Sequence, residues 1–164
     1  MTWFVVLVAI LAAIIVLGGL FLIATANRLD RLHVRLDAGW AALDAALARR
    51  AVVARAVAAA ALDGVEAAAI RQAADVAESA PRGERETAEN ELTKALGSVA
   101  RATLPPRLAD ELADAEQRVI IARRVHNDAV RDTLTLRRRR KVRYFRLAGT
   151  APQPEYFEIV DPVP

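Results

Sequence analysis

Thr2 to Asn27 is a run of twenty-six residues without one ionisable side chain, and nothing else in the chain restricts its environment so tightly. Within it, Trp3 to Ile23 holds fifteen Leu, Ile, Val or Phe, three Ala, two Gly and one Trp. At about 1.5 Å per residue, 21 helical residues span roughly 30 Å, the hydrocarbon thickness of a bilayer. Fifteen side chains that each favour insertion by some tenths of a kcal/mol give a total of several kcal/mol. Residues 2–26 therefore read as a transmembrane anchor. A cleaved signal peptide is the competing reading, since Ala24-Thr25-Ala26 has the small-x-small pattern of a cleavage site. Against it, no Lys or Arg precedes the apolar run, and the run exceeds the usual 7 to 15 residues. Arg28, Arg31 and Arg35 follow the span closely, so the positive-inside rule places the rest of the chain in the cytoplasm of a single-pass cell-membrane protein. Gly18, Gly19 and neighbouring Ala offer small surfaces for a second copy, but no GxxxG is present and a lipid-facing anchor is the simpler expectation.

The remaining 137 residues are enough for one domain. Cysteine is absent, which excludes disulfides, thiol nucleophiles, Cys-ligated zinc and iron–sulfur clusters. Aromatics make up 5% of the chain and alanine is abundant, so the composition favours helices whose core is built from small and aliphatic groups. Leu29, Leu32, Leu36, Trp40, Leu43 and Leu47 recur at spacings of 3 and 4, the mark of an amphipathic helix. That helix needs no break at the membrane surface and runs to Asp63-Gly64. Val65 to Thr103 is helical again, with an interruption at Ala80-Pro81-Arg82-Gly83 that is either a kink or a full turn. After Leu104-Pro105-Pro106, a helix over 107–141 carries the seam Leu108, Leu112, Ala115, Val119, Ala122, His126, Ala129, Thr133 and Leu136. The expected fold is all-α: the anchor, then an elongated antiparallel helical bundle over 27–146. It has three long helices, or four if the Pro81 break is a turn. Pro152, Pro154, Pro162 and Pro164 make 147–164 an extended tail, with Tyr156 and Phe157 as the groups to dock it.

No HExxH, Walker A loop, GxGxxG or GxSxG occurs, and the serines are Ser79 and Ser98. His33 reads as a solvated or membrane-proximal side chain, and His126, on the seam, as a core histidine that needs a polar partner. No enzymatic activity, cofactor or metal is expected. The conspicuous charge feature is Arg137, Arg138, Arg139, Arg140 and Lys141 with Arg143 and Arg146, seven cations in ten residues interleaved with Tyr144 and Phe145. Such a cluster suits phosphates of anionic lipid or RNA, and near an anionic leaflet each cation contributes about 1 kcal/mol. The plainer account is a cationic helix end that complements the macrodipole and pairs with acids of Glu84 to Glu91. Sequence-specific nucleic-acid recognition has no support.

Three stretches carry a resemblance. Asn27-Arg28-Leu29 through Arg35-Leu36-Asp37-Ala38-Gly39-Trp40-Ala41-Ala42-Leu43-Asp44, with Leu47 and Arg49-Arg50, resembles the first helix of the LemA family of bacterial membrane proteins. Ala122-Arg123-Arg124-Val125-His126-Asn127-Asp128-Ala129-Val130 resembles that family's second signature, and Glu155-Tyr156-Phe157-Glu158 is similar to its terminal aromatic motif. The chain departs from the family at Val53-Ala54-Arg55-Ala56, at His126, where an aromatic is usual, and at the Arg137 cluster, which replaces a more apolar segment. The resemblance implies a helical bundle on one span and offers no catalytic residue. The expectation is a non-enzymatic membrane scaffold or interaction module with protein partners, and in second place a binder of phosphate-rich partners through 137–146.

Overall fold

The computed structural model describes residues 2–61, 64–145, 147–148 and 152–160. Asp63, Arg146, Pro162, Pro164 and the Lys141 side chain, all named above, lie outside the described residues. Among the described residues the secondary structure is entirely helical: α1 (Thr2–Ala61), α2 (Val65–Ser79), α3 (Arg85–Gly97), a 3₁₀ turn (Arg101–Thr103), α4 (Pro106–Arg137) and α5 (Arg140–Tyr144).

Each stop has a local cause. Gly64, just before α2, sits at φ 72° and ψ −132°, a conformation that side chains with a Cβ rarely adopt, and its carbonyl accepts from Ala68 N–H at 3.2 Å. Ala80 is extended at ψ 134°, as the residue before a proline must be. Pro81 then opens a turn in which its carbonyl accepts from Glu84 N–H at 2.9 Å. The interruption at Pro81 is thus a full turn and not a kink, and α2 and α3 pack against one another. The helix expected to reach Thr103 stops sooner, at Gly97. Leu104 is extended ahead of Pro105. Pro106 begins α4 at the first helical position, where its missing N–H has no intrahelical partner to lose. The helix expected over 107–141 breaks at Arg138–Arg139, and Arg140–Tyr144 is a separate short turn of helix. Four adjacent guanidinium groups repel one another, and positions three or four apart in a helix would stack them.

The first half of α1 is long and apolar enough to cross a membrane, and its large side chains are exposed: Trp3 by 77%, Leu17 by 66%. A core helix would bury them. Thr25 returns its hydroxyl hydrogen to the Phe21 carbonyl at 2.9 Å, which satisfies its donor within the helix.

The chain divides into two compact units, Met1–Asp37 with Ala129–Glu155, and Ala38–Asp128 with Tyr156–Pro164. The first is centred on buried Leu29, Leu136 and Val142, with Leu32, Leu147 and Ala148 packed around them. Its exposed Arg35 donates to Asp132 at 3.2 Å. The second holds an alanine-rich core in which Ala51, Ala54, Val57 and Ala58 of α1 meet Ala67, Ile70, Ala74 and Ala77 of α2, Leu92 and Leu96 of α3, and Leu112 and Ala115 of α4. A smaller cluster joins Leu43, Leu47, Val119, Phe157 and Ile159. The burial follows most of the expected seam: Leu112, Ala115, Val119, His126, Ala129, Thr133 and Leu136 are buried, while Leu108 and Ala122 are half-buried.

Charge is also enclosed in that second unit. Arg50, 1% exposed, donates through Nη2 to Glu89 Oε2 at 2.6 Å and to the Glu89 carbonyl at 3.0 Å, and through Nη1 to Thr93 Oγ1 at 3.0 Å. The second Glu89 oxygen accepts from Arg85 Nε at 3.1 Å, and Arg85 Nη1 lies 3.1 Å from Asp44 Oδ1. Removing one member of such a set leaves an unpaired buried charge, which costs about 3–5 kcal/mol, whereas replacing a pair by apolar groups of similar volume is often near neutral. Urea unfolding of the detergent-solubilised chain should show Glu89→Ala losing stability of that order. Arg50→Met combined with Glu89→Leu should recover only part of it, because Arg85 keeps Asp44 but loses its buried partner.

Candidate anionic-ligand site and tail clasp

Because α4 ends at Arg137, the basic residues do not form one cationic stripe on a helix; the break sends them to different surroundings. Arg137 is half-buried, and its Nη1 donates to the Pro152 carbonyl at 2.7 Å, so it holds the start of the tail. Arg138 and Arg143 line one groove with Leu134, Arg137, Val142, Ala148 and Gln153. Arg139 and Arg140 line another, of about 400 Å³, with Leu136 and Val142 on one side and Phe21, Thr25 and Arg28 of α1 on the other. Arg28, Arg138, Arg139, Arg140 and Arg143 are exposed, and among the described residues none forms an ion pair. Arg28 was expected only to orient the span; it is more than a hundred residues from the cations it joins.

Of the acids proposed as partners for this cluster, three are engaged elsewhere. Glu89 is taken by Arg50 and Arg85, Glu91 lies 3.9 Å from Lys94, and Glu86 Oε1 accepts the Glu158 backbone N–H at 2.7 Å.

The second unit contains a polar clasp on the tail. Asn127 uses both ends of its amide on one residue: Oδ1 accepts from Phe157 N–H at 2.9 Å and Nδ2 donates to the Phe157 carbonyl at 3.0 Å. Arg123 Nη1 donates to the Ile159 carbonyl at 3.2 Å, and Asn90 Oδ1 accepts from Val160 N–H at 2.8 Å. Phe157 and Ile159 are buried while Tyr156 is 44% exposed, so of the two aromatics expected to dock the tail, Phe157 does so. Its ring meets Trp40 edge to face at 5.8 Å; Trp40 also meets His126 at 5.6 Å, and the Arg82 guanidinium carbon lies 3.9 Å from the Trp40 centroid. His126 is fully buried, and a Cβ built on Gly39 would come within 3.3 Å of the His126 Cα, so the glycine is what lets α1 approach α4 there. The histidine thus fills a closed aromatic corner. His33 is half-buried on α1.

Some charges elsewhere are held in pairs. A hydrogen bond from Arg118 holds the exposed Asp114 carboxyl below its usual range, and Glu116, accepting from Arg101 at 2.9 Å, raises the Arg101 pKa against the opposing effect of burial. Glu78, then Asp75, do the same for Arg55. Such pairs fix charge and do not poise a group for proton transfer near neutrality. Among the described residues no three His, Asp or Glu are grouped to hold a metal ion.

Comparison with family models, curated proteins and solved structures finds no match to this chain.

Asn127 stands mid-helix among other weak helix formers such as Val125, His126 and Asp128, so local propensity did not mark it as the clasp. Two hydrogen bonds at about 0.5–1.5 kcal/mol each secure the tail there. Limited proteolysis should therefore cut Asn127→Ala after Tyr156 or Phe157 roughly tenfold faster than the parent chain, with helical content unchanged.

Proposed function

We propose that this chain is a non-enzymatic single-pass membrane protein whose first 26 residues are a retained anchor and whose remaining helices form a cytoplasmic antiparallel bundle acting as a scaffold. The observation that carries this reading is the continuity of α1. The exposed apolar stretch passes without a break through Ala24-Thr25-Ala26 into residues that are buried, beginning at Leu29. Proteolysis needs backbone that can be extended, and a helix interior withholds it, which favours an uncleaved span over a signal peptide. Short connections at Gly64, Pro81–Glu84 and around Pro105 favour antiparallel neighbours among α1 to α4. The resemblance of Asn27 to Arg50, of Ala122 to Val130 and of Glu155 to Glu158 to the LemA family agrees with an anchored helical body. Confinement near the bilayer raises the effective concentration of the bundle toward other membrane components, which is the physical use of such a scaffold.

The cytoplasmic orientation rests on Arg28, Arg31 and Arg35 close after the span. A phosphate-rich partner for the 137–146 cluster fits the same frame, because Arg138, Arg139, Arg140 and Arg143 are exposed and unmatched by carboxylates among the described residues.

Fractionation of cells expressing the full chain should leave it in membranes through alkaline carbonate and release it only with detergent. A reporter fused at the C-terminus should be active only if it is of the cytoplasmic kind. A mature N-terminus near Arg28, or release without detergent, overturns the anchor; an active extracytoplasmic reporter overturns the orientation.

A further inference from the structure

The groove at the end of the apolar span combines three features that point to one class of ligand. On α1, Phe21, Thr25 and Arg28 are spaced 4 and 3, so they share a face, and about 10 Å of helix rise separates the aromatic from the cation. That order runs from hydrocarbon toward headgroup level if residues 2–26 span the bilayer. Facing them, the helix break after Arg137 delivers Arg139 and Arg140, with Leu136 and Val142 beneath. The result is a groove of about 400 Å³ whose exposed lining is almost wholly apolar, with Arg28, Arg139 and Arg140 among the residues that border it; these three are exposed, and none forms an ion pair among the described residues.

Three like charges around one groove repel unless an anion sits among them, and guanidinium groups bind phosphate oxygens in a bidentate fashion. We infer that Arg28, Arg139 and Arg140 form a binding site for the phosphate of an anionic phospholipid, with Phe21, Leu136 and Val142 against its glycerol and upper acyl chain. The inference rests on the anchored reading and goes beyond it by separating these three cations from the rest of the cluster. A bilayer lipid fits better than RNA because the exposed lining is almost wholly apolar and lies at the end of the span, where an acyl chain is already present. Arg137, committed to the Pro152 carbonyl, and Arg138 and Arg143, in the other groove, are outside the site.

The test uses the full chain in neutral detergent, with short-chain phosphatidylglycerol or phosphatidylcholine added and bound lipid counted by native mass spectrometry. Phosphatidylglycerol should bind in preference to phosphatidylcholine. With each cation contributing a few-fold to about fivefold, replacing Arg28, Arg139 and Arg140 together by Gln should weaken its binding by about a hundredfold. Arg138→Gln with Arg143→Gln should leave it within about threefold. All five positions are exposed, so circular dichroism should show each variant folded like the parent. Equal loss in the two variants means a diffuse cationic surface and overturns the site. So do absence of any preference in the parent chain, displacement of lipid by millimolar inorganic phosphate, which would mean a free-anion site, and tight RNA binding lost in the triple variant. Carbonate extraction on the same preparations separates the outcomes: a chain that stays in membranes yet shows no lipid preference keeps the anchor and loses the site, and a chain released without detergent loses the anchor itself.

Discussion

The enclosed pairing of Arg50 with Glu89 fixes the helices of the second unit. Its core is built largely from alanine, and alanine faces are smooth: they slide past one another with little change in contact, so burial alone specifies register weakly. A guanidinium that must meet one carboxylate, one carbonyl and one hydroxyl tolerates no such slip, because every misregistered arrangement strands a charge away from water. Arg85 extends the constraint by linking Glu89 to Asp44, which ties two positions of α1 to one turn of α3. The turn at Pro81 follows as a requirement, since α3 must leave α2 in a direction that brings Arg85 and Glu89 to α1. Arg82, over the face of Trp40, fastens that turn to the same helix.

Trp40 is the second fixed point. In a chain with so few aromatics it gathers three partners, His126, Phe157 and Arg82, and Gly39 beside it supplies the clearance that α4 needs. The tail is held mainly through its own backbone groups, by Asn127, Asn90, Glu86 and Arg123, with two apolar side chains pressed inward. An extended peptide with no strand to pair with has to find side-chain partners for its N–H and C=O groups, and these four residues provide them.

Helix periodicity was legible because burial follows a 3–4 rhythm that survives any tertiary arrangement: Leu43, Leu47, Leu112, Val119, Ala129 and Leu136 are buried as their spacing implied. The Pro81 interruption was legible as a stop, but not as a turn. A missing hydrogen bond shows where a helix weakens, and the direction of the next helix depends on partners such as Arg50 and Trp40 that lie far away in the chain. The cationic end of α4 was read as continuous helix because every residue in it is individually a good helix former. Mutual repulsion among neighbours is a collective effect, and the break at Arg138–Arg139 divides the cluster. Arg28 could not be assigned to that cluster from its position, since nothing local marks a residue as the future neighbour of cations over a hundred places away.

The order of residues by itself determined what depends on composition and local period: an uncharged segment long enough for a bilayer, alanine-rich helices with defined apolar faces, a proline-bearing extended tail, and the absence of any thiol chemistry. Tertiary structure alone decided which acids are consumed inside the core and which cations are left over, where the basic run breaks, and which arginine from the first helix joins it. Those outcomes are set by distances between groups remote in sequence, and electrostatic pairing in a low-dielectric interior is too steep a function of distance to be read from spacing along the chain.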